Sequence, residues 1–327
     1  MNTFINWLGS SFAPKVAKAM DKKIIRTLSG ALMANVPILL LGSIISIYNL
    51  LAGYVSFLPD LSPVYNFSFG IMSLTLVFLV GYHGAKEYGF KEYGVSTGLI
   101  ALMMFFMVIK PSIADFQFQV AFGRFGGSGM ISAFFAGIVT IVISNLYFKL
   151  HLFEDSVSLP DFLIRWLNQV IPGIIVLVLT TILIYWCNID LFELITKLFS
   201  PLISIGQTYP GFMLCIFIPV FFYSFGINSW FMNPITSPIG LAGITANAAA
   251  FEQGLQPTNI YTSNVTFSVI FIGGMGMTLA LNIMMLKSRS KRIRKFGQIA
   301  MIPSLFNINE PLVYGAPIAL NPILMIP

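Results

Sequence analysis

The chain reads as an all-α integral membrane protein, a multi-span helical bundle whose regularity is interrupted by broken or re-entrant helical hairpins. Three observations carry this reading. Of 327 residues, 57% are hydrophobic and only 9% are charged, against roughly a quarter charged in soluble domains; too few charges are present to cover a water-facing surface. The apolar runs are continuous, as spanning helices require, and do not alternate as barrel strands do. Third, prolines, asparagines and one glutamate gather in two stretches that are otherwise apolar, 225–238 and 307–322.

The first 27 residues hold Lys15, Lys18, Lys22, Lys23 and Arg26 interleaved with Trp7, Phe12, Val16 and Met20. This pattern predicts a basic amphipathic helix on a membrane surface, with a plain solvated tail as the competing reading. No cleavable signal is evident. Spans are then expected at about 28–51, 67–83, 95–113, 129–149, 170–189, 211–227 and 264–286. Asn35 and Pro37 in the first of them point to a kink or a pore-facing position.

Orientation follows from the cations. The N-terminal segment, 83–94 with Lys86 and Lys91, 149–166 with Lys149 and Arg165, and the run "KSRSKRIRK" at 287–295 are assigned to the cytoplasm. Lys110 and Arg124 fall on the other side and sit badly with the rule. Parity requires one further crossing within 228–263, where Pro234, Pro238 and glycines favour a broken or hairpin-like passage over a straight helix. Segment 190–210 shows apolar residues three and four apart around Asp190, Glu193 and Lys197, so an amphipathic interfacial helix is expected there. It divides the chain into a first half, 28–189, with the scaffold or dimerisation role, and a second half, 211–327.

The formal net charge of +6 reports orientation in such a protein and gives no reason to expect a nucleic-acid partner. Cys187 and Cys215 have no metal-ligand spacing and read as small buried hydrophobes. His83 beside Tyr82 and Lys86 reads as a cytoplasmic mouth or a solvated loop, and His151 with Glu154 and Asp155 as a loop cluster. No nucleotide-binding loop, nucleophile elbow or zinc-protease motif occurs, so neither a cofactor nor a metal is expected.

The two polar stretches are the candidate site. Pro311, Pro317 and Pro322 lie within 12 residues, and each would cost a straight helix about 3 kcal/mol. Irregular backbone at membrane depth persists only where protein buries it or a wet cavity adjoins it. Residues 299–327 are therefore expected to form a re-entrant hairpin with its tip near Asn307–Pro311, and Asn309 is a candidate helix cap with Pro311 in the first turn. Glu310 sits at that tip. A carboxylate in a span costs about 2.5–3.5 kcal/mol on insertion scales and by default marks a substrate or ion route; the alternative is a structural pair with a Lys or Arg. Asn307, Asn309 and Glu310 together suit a neutral polyhydroxyl solute, whose hydroxyls both donate and accept. Asn228, Ser229, Trp230 and Asn233 form the second cluster, with Trp230 able to stack on a sugar face or to sit in an interfacial aromatic belt. The broken hairpins would thus build a sugar-binding domain.

"PSLFNINEPLVYGAPIALNPILMIP" (303–327) resembles the Asn-Glu-Pro signature of the EIIC membrane subunits of bacterial phosphotransferase sugar permeases, in the lactose, cellobiose and diacetylchitobiose group. "FGINSWFMNPI" is similar to that family's second signature, and "GGSGMISAFFAGIVTIVISNLY" and "LPDFLIRWLNQVIPG" extend the likeness over most of the chain. The resemblance implies a homodimer in the bacterial cytoplasmic membrane, multi-pass with a cytoplasmic N-terminus. It implies a bound di- or oligosaccharide phosphorylated by EIIB, which is itself supplied by EIIA, HPr and enzyme I. Glu310 takes the family's glutamate role beside the reacting hydroxyl and is the expected catalytic residue. Asn228 stands where the resemblance implies a histidine; an amide still binds hydroxyls but relays no proton near neutral pH, so retained binding with slowed phosphoryl transfer is expected. No phosphoryl-carrying cysteine segment is present, and the resemblance implies further spans after Pro327, hence a chain truncated at its C-terminus. The alternative is an ion-coupled secondary sugar transporter with the same fold, no phosphorylation step, and Glu310 as its proton site.

Overall fold

The computed structural model describes residues 7, 10–11, 14–15, 18, 21–52, 57–114, 117–153, 160–225, 232–305, 307–315 and 318. These divide into two units, one of residues 22–201 and one of residues 1–21 with 202–327. Most of the N-terminal segment expected to be an amphipathic helix lies outside the described residues, and its last residues instead open the first long helix, α1 (Lys23–Ala52).

Unit 22–201 is a helical bundle. Its centre is α2 (Met72–Tyr88), packed against α1, α3 (Gly94–Val108) and α4 (Met130–Phe148), with α5 (Asp161–Thr181) against α3 and α4. The buried residues of α2 include Met72, Leu76, Val80 and Gly84, one helical face at a spacing of four. Small residues let the backbones approach closely, which matters where lipid is as apolar as any side chain. A Cβ on Gly81 would lie 2.8 Å from Gly98 Cα, and one on Gly137 2.7 Å from Val80 Cβ. Phe105, Val108 and Ile109 of the α3 end, Ala133 and Ala136 of α4, and Val176 of α5 continue this core.

Polar side chains in the bundle are spent on structure. Asn35 is fully buried; its Oδ1 accepts from Thr75 Oγ1 at 2.8 Å and its Nδ2 points to Met72 O at 3.5 Å. It fastens α1 to α2, which corrects the pore-facing expectation. The two cations that broke the charge rule have local work as well. Arg124 Nη1 donates to Ile109 O at 2.7 Å, and its guanidinium lies 4.5 Å above the Phe192 ring. Lys110 Nζ donates to Asn188 Oδ1 at 3.2 Å. Lys110 follows the end of α3, and Arg124 satisfies a carbonyl there, at the negative end of the helix dipole. Between them a short antiparallel hairpin, β1 (Ser112–Ala114) with β2 (Gln117–Gln119), is an element the sequence reading did not contain. Near the other end of α2, Arg26 pairs with Glu87 at 2.8 Å, and His83 Nδ1 would lie 3.0 Å from a Cβ placed on Gly30.

The stretch 190–210 forms α6 (Leu191–Gly206). Its Leu191, Phe192 and Ile195 pack into the core of the first unit, and the unit boundary falls within it, between Pro201 and Leu202. Among the described residues four helices are long and apolar enough to cross a membrane, ending at Tyr88, Val108, Phe148 and Trp186, or five if α6 and the following α7 (Tyr209–Ser224), bent by 88°, count as one.

In the second unit Thr208 caps α7, its hydroxyl accepting from Gly211 N at 3.2 Å. Within 228–263, expected to be a broken or hairpin-like passage, Pro234 and Pro238 do not break the chain but fall in one helix, α8 (Asn233–Glu252), and the hairpin-like course lies in the segment after it. Pro234 occupies the first turn, where the missing N–H has no partner to lose, and Pro238 costs one bond within a helix otherwise intact. The chain then returns beside α8. Gln207 holds it, with Nε2 donating to Ile239 O at 3.2 Å and Tyr261 O at 2.9 Å, and Oε1 accepting from Tyr261 N at 2.8 Å.

The expected single span at 264–286 is the main correction. A turn at Ser263–Val265 runs into a π-helical turn, Thr266–Ile270. The backbone then unwinds until α9 (Leu279–Leu286) begins. α10 (Lys291–Leu305) packs back on α9 through Gly297, Ala300 and Ser304, and Asn282 Nδ2 donates to Ser304 Oγ at 3.2 Å. The chain turns through 307–309 into α11 (Glu310–Gly315).

Gly137→Leu tests the close packing of the bundle: overpacking of about 1–3 kcal/mol is expected to lower the thermal midpoint of the detergent-solubilised protein, and an unchanged midpoint would contradict this packing.

Candidate functional site

Residues 271–278, "FIGGMGMT", should continue a helix by apolarity alone but cannot by conformation. Gly273, Gly274 and Gly276 have φ of +80°, +105° and +85°, and Met277 has +54°. This left-handed region is free to glycine and costs other residues roughly 1–2 kcal/mol. A helix unwound in apolar surroundings exposes N–H and C=O groups that must find new partners. The partners are the asparagines of the hairpin tip.

Asn307, itself at φ +60°, accepts from Gly273 N on Oδ1 at 2.8 Å and donates from Nδ2 to Phe267 O at 2.7 Å. Asn309 is 2% exposed. Its Nδ2 donates to Met275 O at 2.8 Å and to Thr278 Oγ1 at 2.8 Å, and Thr278 Oγ1 donates onward to Gly273 O at 2.7 Å. Its Oδ1 accepts from the buried Tyr223 hydroxyl at 3.0 Å. A Cβ on Gly274 would lie 2.6 Å from Asn309 Cβ and Oδ1, so only glycine lets the loop close on the tip. Both amide protons of Asn309, and one of Asn307, are thus committed to the fold.

The main chain of Asn309 also starts α11: Val313 N donates to its carbonyl at 2.9 Å. Glu310 is the first residue of that helix and Pro311 lies in its first turn, where proline is tolerated. Leu312 and Val313 are buried beside Tyr223 and Ala300, and Gly315 abuts Phe296 of α10, whose ring atom Cζ would lie 2.6 Å from an added Cβ. The tip is therefore gripped from both sides, by the unwound loop and by α10.

The side chain of Glu310, together with Asn228, Ser229, Trp230, Pro317 and Pro322, lies outside the described residues. Asn233 is the half-buried first residue of α8. Of the sequence-predicted site residues, the structure brings Asn307 and Asn309 together around the glycine loop. Sequence reasoning missed Gly273, Gly274, Thr278 and Tyr223. The run of glycines inside an apolar stretch was the available signal; nothing in the sequence marked Tyr223. Among the described residues, no three His, Cys, Asp or Glu side chains gather as a metal site.

With this geometry in place, the similarity to known proteins can be stated. The family model described as "Phosphotransferase system, EIIC" matches residues 29–327. The chain belongs to the EIIC family. It is 28% identical to the PTS system cellobiose-specific EIIC component of Geobacillus stearothermophilus, over 99% of this chain and 78% of that one. It is 25% identical to the PTS system lactose-specific EIICB component of Staphylococcus haemolyticus, over 100% of this chain and 59% of the relative. The fold of this EIIC chain is that of the transporter ChbC, the IIC component from an N,N'-diacetylchitobiose-specific phosphotransferase system, at a TM-score of 0.82 with 23% identity, over 98% of this chain and 80% of that one. Membership places the protein among membrane-embedded sugar-specific phosphotransferase permeases.

Removing the Asn309 side chain strands several buried groups at once, each costing about 1–3 kcal/mol. Asn309→Ala is expected to lower the thermal midpoint, and Asn309→Asp to lower it as well, because a carboxylate oxygen cannot donate to Met275 O and is buried beside it; a midpoint equal to wild type in both variants would show the tether to be idle.

Proposed function

We propose that this EIIC chain binds a di- or oligosaccharide of the cellobiose, chitobiose or lactose type and carries it across the bacterial cytoplasmic membrane for phosphorylation by EIIB. The observation that supports this most is the family match over nearly the whole chain together with a hairpin tip tied to the glycine loop by the half-buried Asn307 and the buried Asn309. The names of the relatives support the sugar class, and the fused EIICB relative supports EIIB as the partner. EIIA, HPr and enzyme I then stand upstream as phosphoryl carriers. A homodimer, a cytoplasmic N-terminus and a scaffold role for 28–189 belong to the same proposal, with 211–327 as the sugar-binding half.

Glu310 is assigned to the reacting hydroxyl. In the transfer the phosphorus–sulfur bond to the EIIB cysteine breaks and a phosphorus–oxygen bond to the sugar forms. The hydroxyl proton passes to the Glu310 carboxylate. Asn228, Ser229, Trp230 and Asn233 are assigned as sugar contacts, with the Trp230 ring against an apolar sugar face. Asn307 and Asn309, whose amides bond the glycine loop and the turn before it, are assigned to hold the tip and not to contact the sugar directly. Asn228 in place of a histidine leaves Glu310 as the one proton acceptor assigned here. The ion-coupled alternative finds no support in the relatives.

The test uses membranes holding the full-length protein. Cellobiose, N,N'-diacetylchitobiose and lactose are offered in turn with phosphoenolpyruvate, the soluble carriers and EIIB. One of them is expected to appear as its phosphate, and Glu310→Gln is expected to keep sugar affinity within a few-fold while slowing transfer by about 10²–10⁴-fold. Uptake driven by a proton gradient without phosphoenolpyruvate, or a Glu310→Gln protein that transfers normally, would overturn the proposal.

A further inference from the structure

The Tyr223 hydroxyl is 4% exposed as a residue and donates to Asn309 Oδ1 at 3.0 Å. Its place in the chain gives this bond its interest. Tyr223 is the penultimate residue of α7, and α7 leads directly into 225–234, the segment that carries Asn228, Ser229, Trp230 and Asn233. Asn309 is the residue before Glu310. One hydrogen bond across 86 positions of sequence therefore ties the end of the helix feeding one polar segment to the residue that starts the helix of the other. From Asn309 the connection continues through Thr278 Oγ1 to Gly273 O.

We infer that Tyr223, Asn309 and Thr278 form a positioning chain that fixes the start of α11, and with it Glu310, against the end of α7 and the glycine loop, so that the reacting hydroxyl of a bound sugar meets the carboxylate in register. This rests on the permease reading above and deepens it by naming residues that touch neither sugar nor phosphoryl group. Each link is buried, and each is a donor–acceptor pair with no slack. Tyr223 gives its proton to Asn309, Asn309 gives one to Thr278, and Thr278 gives its own to the Gly273 carbonyl. The direction of donation is set throughout, because Asn309 Nδ2 can only donate and a backbone carbonyl can only accept. Such a chain behaves as a unit: loss of any member loosens the tip against the loop or against α7, while Asn307 and the packing of Leu312 and Val313 keep it in place. Transfer demands placement of the reacting atoms to well under an ångström, whereas binding a sugar through several dispersed contacts tolerates a small displacement. A shift of the tip is therefore felt more in the transfer step than in affinity.

The experiment uses the full chain in membranes, with whichever of the three sugars above the wild type phosphorylates. Sugar affinity and the rate of transfer from phosphorylated EIIB at saturating sugar are measured per folded protein for Tyr223→Phe, Thr278→Val, Thr278→Ser and the Tyr223→Phe/Thr278→Val double variant. The chain predicts about a tenfold slower transfer for Tyr223→Phe and for Thr278→Val with affinity within threefold. It predicts recovery in Thr278→Ser, which keeps the hydroxyl, and a double variant no slower than the singles. Transfer unchanged in Tyr223→Phe overturns the inference, as does a loss of affinity and rate in equal measure, which marks a merely structural bond. A wild type that phosphorylates none of the sugars overturns the permease reading, and the inference with it.

Discussion

A polypeptide that unwinds in apolar surroundings must hydrogen-bond every backbone group it releases, and this constraint organises the second unit. The loop 271–278 gives up its helix at three glycines and Met277 with positive φ. Water would solvate the freed groups in a soluble protein. Here the side chains of Asn307 and Asn309 substitute for the missing helical ladder, bonding Gly273 N, Phe267 O and Met275 O. The Asn-x-Asn-Glu order then has a physical meaning. Two asparagines at alternate positions reach the same loop from one turn of chain, and the residue that follows them starts a helix in whose first turn Pro311 has no N–H to satisfy. The carboxylate is carried on a segment held by its neighbours.

The first unit solves a different problem with different residues. Its helices approach at glycines, with Gly81 against Gly98 and Gly137 against Val80, and two of its polar side chains bond locally: Asn35 with Thr75, Arg124 with the carbonyl end of α3. Among the described residues none of its long helices is interrupted by an unwound stretch. The contrast is physically reasonable for a permease. Regular, closely packed helices resist deformation, while an irregular segment held by a handful of side-chain bonds has discrete bonds to break if it moves.

The membrane class, the long helices of the first unit and the tip near Asn307–Pro311 were legible because each leaves a strong local mark: continuous apolarity, helical spacing, or proline beside a carboxylate. The errors share a cause as well. Pro234 and Pro238 were read as breaks because proline was weighed by type, yet one sits in a first turn and α8 absorbs the other. The span 264–286 was read as unbroken because hydropathy counts glycine and methionine as apolar and says nothing of φ. The roles of Asn307 and Asn309 were read from their chemistry, which suits a sugar and a peptide group equally; only the position of the glycine loop decides which partner fills them. Tyr223 left no mark at all, since its partner lies far along the chain. Lys110 and Arg124 looked misplaced because a charge rule counts side chains without seeing their partners, the Asn188 amide for one and the carbonyl end of α3 for the other.

The most direct test of this account is hydrogen–deuterium exchange of the Gly273 amide in the detergent-solubilised full-length protein, compared with Asn307→Ala. Because that amide lies in an unwound, glycine-rich loop with Asn307 Oδ1 as its partner, the account predicts helix-like protection in the wild type and its loss in the variant. Fast exchange in the wild type, or protection that survives in the variant, would contradict it.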